Sequence, residues 1–170
     1  MRYADGPTTE SEAVVAAPVD RVWPLVADQE WLAGVSGELQ RVEWLDGATR
    51  AGPGVRFRGH NVHPAIGEWS TVATVTTWEP EHSVRWTVEA DRAEGPVAQW
   101  GFDLEPVDGG TRVRQWARLG PGPSGLTAAI ERRPDKEERI VAGRLDEWRA
   151  GMERNLAAVR AAVERSVPGE

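Results

Sequence analysis

The stretch DKEERIVAGRLDEWRAGMERNLAAVRAAVERS, Asp135–Ser166, carries the pattern that decides the fold. Val141, Leu145, Trp148, Met152, Leu156, Val159 and Val163 recur at steps of three and four, the spacing of one face of an α-helix. Asp135, Glu137 and Glu138 suit the positive end of the helix dipole, and Pro134 marks the boundary ahead of them. The opposite face mixes both charge signs, as a solvated face does. A helix of about eight turns with one apolar stripe must lie against something equally long. Only a sheet built from the rest of the chain can serve.

Upstream of the helix the periodicity changes to two. Pro121 and Pro123 end a run of six strand candidates, and LTAAIERR after them reads as a short helical piece. The strands are LQRVEWL, VRFRGHNV, EWSTVATVTTW, SVRWTVEA, VAQWGFDLEP and TRVRQWARL. Between them lie DGATRAGPG, HPAIG, EPEH, DRAEGP and VDGG, all turn compositions. Connections this short imply an antiparallel meander. Further upstream, TTESEAVVAAP is strand-like. PVDRVWPLVAD then places Val22, Leu25 and Val26 on one helical face, with Pro24 keeping the element short or kinked. QEWLAGVSGEL is a second short helical turn, broken by Gly34 and Gly37.

The chain has 170 residues, enough for one domain, read over 8–165 with flexible tails at 1–7 and 166–170. A net charge of -7 argues against nucleic acid or an anionic membrane as partner. No apolar run is long enough to cross a bilayer, and MRYADGPTTE lacks the core of a signal peptide, so a cytoplasmic protein is expected. The absence of cysteine excludes disulfides, thiolate zinc sites and cysteine nucleophiles. Lys136 is the single lysine, a bias matching the abundance of Ala, Gly, Val and Pro expected of a GC-rich genome. Nine tryptophans against one tyrosine and two phenylalanines is the unusual feature.

The element order is strand, two short helices, six-strand meander and long C-terminal helix. With the phrases AAPVDRVWPLVADQEWLAGVS, VRFRGHN, TVTTWEPEHSVRWTV, WGFDLEPVDGGTRVRQ and GMERNLAAVRAAVE in that order, the chain resembles the START/Bet v1-like superfamily. The likeness is strongest to its bacterial polyketide cyclase/dehydrase and lipid-transport proteins. It implies an α+β helix-grip fold: a curved antiparallel sheet of about seven strands wrapped around the C-terminal helix, with a cavity between them. It does not name an activity, because this fold hosts cyclases, hydrolases, carriers and co-chaperones.

Strand parity then assigns faces. Val42 and Trp44 share the concave face with Val55, Phe57, Gly59, Asn61 and His63, while Arg56, Arg58 and His60 point away. Trp69, Ala73 and Val75 are read as inward, as are Val84, Trp86 and Val88. Ala98, Trp100, Phe102 and Leu104 follow, then Val113, Gln115, Ala117 and Leu119. The candidate ligand contacts are therefore Trp44, Phe57, Asn61, His63, Trp69, Trp86, Trp100, Phe102, Gln115, Trp148 and Met152. Aromatics offer flat faces, Met152 an adaptable contact, and Asn61 and Gln115 isolated polar handles that need partners if buried. The competing reading of each tryptophan is plain core filling, and of each amide a structural hydrogen bond.

No metal site is expected, because His60 and His63 point to opposite faces unless a bulge at Gly59 intervenes. No cofactor is implied, and no nucleophile elbow or phosphate loop occurs. Glu43 and Glu68 fall opposite their neighbouring tryptophans and read as exposed carboxylates. Arginine and tyrosine assist ring closure in the cyclase relatives. Here the sole tyrosine, Tyr3, falls in the expected tail and no arginine falls on the concave strands. The row Arg112, Arg114, Trp116 and Arg118 reads as an outer face with an exposed tryptophan, where a homodimer or an acidic carrier protein could dock. The leading expectation is binding of a hydrophobic, aromatic or polycyclic small molecule, polyketide- or lipid-like. The alternatives are a polyketide aromatase/cyclase or dehydratase, a protective protein for a reactive product such as an enediyne, and an interaction module with a collapsed cavity.

Overall fold

A computed structural model describes residues 1–90 and 94–165. The element following the short N-terminal 3₁₀ turn Tyr3–Asp5 is strand β1, Thr8–Val15. Helices α1, Val19–Val26, and α2, Gln29–Val35, come next. The meander is β2 Leu39–Trp44, β3 Arg56–His63, β4 Gly67–Glu79, β5 Ser83–Ala90, β6 Pro96–Val107 and β7 Gly110–Leu119. A short helix α3, Gly125–Arg132, precedes the long α4, Glu137–Arg165. The seven strands form one antiparallel sheet in the order β1-β7-β6-β5-β4-β3-β2, so β1 crosses to the far edge and α1 and α2 span the gap. Part of the expected turn DRAEGP and the expected tail 166–170 lie outside the described residues.

Local chemistry sets the boundaries. Asp28 caps α2 by accepting a bond from the Glu30 backbone N–H at 3.0 Å, and Ser124 does the same for α3 through Leu126 at 3.2 Å. The β6–β7 hairpin closes in two residues, with Gly109 at φ 82° and Gly110 at φ 153°. At Gly110 a Cβ would stand 1.9 Å from the Val15 carbonyl oxygen, so the end of β1 needs glycine there.

All seven apolar positions of the α4 stripe are buried, none more than 8% exposed. Each such side chain contributes roughly 1.5–3 kcal/mol relative to exposure, which is why the helix lies on the sheet. The concave face matches the parity reading: Val42, Phe57, Ala73, Val75, Val84, Trp86, Ala98, Phe102, Leu104, Val113, Gln115, Ala117 and Leu119 are all buried. In β4 a bulge between Val75 and Thr77 shifts the phase, so Trp78 also turns inward and meets Trp23 edge-on at 5.2 Å.

The N-terminal segment corrects an expectation. Residues 1–7 are docked on the domain. Tyr3 is buried, its hydroxyl donates to the Gly122 carbonyl at 2.6 Å, and its backbone N–H donates to Glu137 at 3.0 Å. The Met1 amine pairs with Glu138 at 3.1 Å. The Tyr3 ring buried beside Gly120, with Pro7 buried behind it, is the physical reason this segment packs.

Candidate functional site

Between the β3–β4 turn, α3 and the first half of α4 lies an open cleft of about 460 Å³. His63, Ile66, Leu126, Lys136, Arg139, Ile140, Gly143, Arg144 and Glu147 line it. Of the predicted ligand contacts, His63 is the one that reaches this cleft. The turn that presents it is built by the imidazole itself, whose Nδ1 accepts from the Ala65 backbone N–H at 3.0 Å. Its Nε2 lies 3.1 Å from a Glu147 carboxylate oxygen on α4. The sequence showed no partner for His63; Glu147 supplies one from 84 positions away, a distance that strand spacing cannot reveal.

The charge at the cleft comes from the helix side, where Lys136, Arg139 and Arg144 stand; the most buried of the three is Arg144, whose side chain is 12% exposed. It forks onto both Glu38 oxygens, at 3.0 and 2.5 Å, and reaches Glu147 at 2.9 Å. Burial by itself would lower the guanidinium pKa. Hydrogen bonds and charge from Glu38, then Glu147, outweigh it and hold the group above its ordinary value. Arg144 also stacks over Trp148 at 5.4 Å, and Trp148 contacts Trp100 with ring centroids 4.7 Å apart. The cleft is thus joined to the aromatic interior through one side chain.

Deeper along the same helix face, Asn155 Nδ2 donates to Gln115 Oε1 at 3.2 Å. Both residues are buried, and Asn155 Oδ1 has no partner among the described residues. Eleven positions separate Arg144 from Asn155, about 16 Å along the helix axis. Met152, fully buried, lies between them. Gln115 was legible from strand parity; Asn155 was not, because one polar residue beside an apolar stripe resembles any stripe edge.

The remaining predicted contacts divide. Trp86 and Phe102 pack at 6.3 Å, and Trp44 meets Phe57 edge-on at 5.8 Å. Trp44 also donates its indole N–H to Glu30 at 3.3 Å. Six of the nine tryptophans take part in four aromatic pairs, which accounts for most of the compositional surplus. Asn61 is half-buried and donates to the Gly59 carbonyl at 3.3 Å, while Trp69, also half-buried, is its cross-strand neighbour. Register across β3–β4 is unbroken at Gly59. His60 accordingly faces away and sits 3.3 Å from Glu43, on the side opposite His63. Trp116 is not the exposed ring expected on the outer face. It is half-buried, lies where a Cβ on Gly101 would come within 2.8 Å, and is covered by Arg85 at 5.4 Å.

An antiparallel sheet gripping a C-terminal helix, with a cleft at one end and an aromatic interior behind it, defines the helix-grip class. The chain matches the family described as polyketide cyclase / dehydrase and lipid transport over residues 7–164, and belongs to it. Among curated proteins none matches. Similar solved structures include a polyketide-cyclase-like protein, Cgl2372, from Corynebacterium glutamicum, at 24% identity and TM-score 0.61 over 96% of this chain and 97% of that one. The di-domain aromatase/cyclase StfQ of the steffimycin biosynthetic pathway aligns at 15% identity and TM-score 0.70, over 93% of this chain and 50% of that one. Ara h 8.0201 aligns at 16% identity and TM-score 0.51, over 83% of this chain and 98% of that one. At these identities the likeness establishes the fold. Among the described residues no helix is long and apolar enough to cross a membrane.

Proposed function

We propose that this protein binds a hydrophobic, aromatic or polycyclic small molecule between the sheet and α4, acting in the cytoplasm. The observation that carries the reading is the buried amide pair Gln115–Asn155 with an unpartnered Asn155 Oδ1. An orphaned buried acceptor costs about 1–3 kcal/mol, which a hydroxyl or N–H on a bound molecule would offset. Around it the aromatic and thioether surface of Trp100, Trp148 and Met152 suits a flat apolar body. The family supports the same class of ligand.

A specific observation favours a second reading, a polyketide cyclase or dehydratase. His63 and Glu147 place an imidazole and a carboxylate in hydrogen-bond contact at the cleft; with Nδ1 tied to the Ala65 N–H, the half-exposed Glu147 carboxylate is the group that could take a substrate proton. Native mass spectrometry, on the protein as purified and during titration with polycyclic aromatics and lipids, tests both readings alongside tryptophan fluorescence. A stoichiometric ligand that quenches emission supports binding, and a mass change of that ligand on incubation supports catalysis. No binding across the panel, with emission unchanged, overturns both.

A further inference from the structure

The cleft differs in charge from the molecule around it. The chain carries 27 acidic and 20 basic residues, yet the cleft lining holds Lys136, Arg139 and Arg144 against one carboxylate, Glu147. Arg144 is occupied by Glu38 and Glu147. Lys136, the only lysine in the chain, and Arg139 make no ion pair among the described residues, although acidic side chains surround them in sequence. Asp135 is taken by Arg133 and Glu138 by the Met1 amine, which leaves the two cations turned to the cleft.

Beside these cations the surface is apolar. Ile66 is 55% exposed at the tip of the β3–β4 turn, and Leu126 and Ile140 face it from α3 and α4. Gly143 completes the wall. It sits inside α4, where glycine costs roughly 0.5–1 kcal/mol relative to alanine, and a Cβ there would meet nothing within 4 Å. Among the described residues no packing contact accounts for the glycine, nor does a positive φ, and its effect is to keep the wall open.

We propose that the cleft takes an amphipathic anion: an apolar small molecule bearing a carboxylate, its charge held by Lys136 and Arg139 and its body laid over Ile66, Leu126, Ile140 and Gly143. This inference goes beyond the reading above: Arg139 lies 16 positions, about 24 Å, from Asn155 along α4, so the cleft is a site of its own. Two exposed cations, each worth up to about fivefold, give about a tenfold preference for the acid over its uncharged counterpart. The preference falls with added salt, because the cations are solvated.

The test compares pyrenebutyric acid with pyrenebutanol, matched apolar bodies with and without charge, by pyrene fluorescence against the full chain. The acid should bind about tenfold tighter in low salt. Lys136→Ala with Arg139→Ala should bring the acid down to the alcohol's affinity and leave the alcohol unchanged, and Lys136→Glu should invert the preference. Gly143→Phe should weaken both probes by filling the cleft, with the urea midpoint of each variant confirming that it folds. Equal binding of acid and alcohol overturns the anion inference while the ligand-binding reading stands. A preference for the acid that survives loss of both cations places the charge elsewhere and also overturns it. Binding of neither probe also overturns it, and leaves the interior reading to be decided by the Gln115 and Asn155 variants.

Discussion

Replacing the buried amides by leucine should uncouple stability from ligand binding. In Gln115→Leu the Asn155 side chain keeps neither its acceptor nor any partner for Oδ1, so both ends of a buried amide are unsatisfied. That should cost about 2 kcal/mol, within the 1–3 typical of such groups. Asn155→Leu removes the orphan oxygen along with the donor and leaves Gln115 Oε1 without its bond, so the loss should be nearer 1 kcal/mol. The double variant leaves no amide behind. Two leucines would face each other among Phe102, Met152 and Leu156, all at or below 3% exposure, and should restore parent stability to within about 1 kcal/mol. The expected coupling is therefore about 2–3 kcal/mol, read from a double-mutant cycle of urea unfolding curves. For a chain of this size each kcal/mol moves the midpoint temperature by about 2–4 °C, so the singles should be visibly lowered and the double should not. The same double variant should lose ligand affinity despite its stability. Losses that simply add in the double variant would refute the buried-pair argument. Undiminished ligand binding in a stable double variant would refute its role as the polar handle.

Three further outcomes are expected. Burial pushes the Tyr3 phenol above its ordinary value of 10, with the Ser124 hydroxyl pulling the other way. The folded chain keeps that proton where the unfolded chain has released it, so this contribution is full below about pH 10 and is lost as pH climbs through the folded value. Tyr3→Phe should flatten that alkaline decline and cost about 1 kcal/mol at neutral pH, as measured by urea titrations across the range. Gly101→Val should drive Trp116 from its seat, since even a Cβ falls 2.8 Å from the ring, for a loss of about 1–3 kcal/mol and a red-shifted emission. Arg144→Ala should cost about 2 kcal/mol, less than a fully buried pair because Glu38 and Glu147 remain 31% and 49% exposed. Arg144→Lys should recover less than half of it, since an ammonium reproduces neither the fork onto Glu38 nor the stacking on Trp148; chemical denaturation of both variants decides.

The period-two and period-3.6 patterns carried the architecture because each is a statement about burial, and burial is what the sheet and α4 exchange. Val84, Trp86 and Val88 could be placed on one face without knowledge of any neighbour. Parity likewise set His60 and His63 apart, and they pair with Glu43 and Glu147 on opposite sides. The cleft was less legible. Arg144, Glu147 and Asn155 lie on the helix, and their roles depend on which strand residues α4 comes to rest against. That docking is set by the summed shape of the interface, which no local spacing encodes. Tyr3 was hidden for a related reason: a single aromatic in a segment without periodicity is buried only because the turn at Gly120 and Gly122 and the start of α4 make a seat for it.

The placement of β1 has a consequence for the order in which the chain is completed during synthesis. Its eight residues pair with β7, Thr8 with Arg118 and Val15 with Thr111, although β2 follows it in sequence. The hairpins from β2 to β7 can each close as they leave the ribosome, because every partner is the next segment made. The first strand must wait for the last. At about 5–20 residues per second that interval is on the order of 5–20 seconds. During it β1 is an unpaired template, and the two like charges of Glu10 and Glu12 on its exposed face guard it against pairing with the wrong edge.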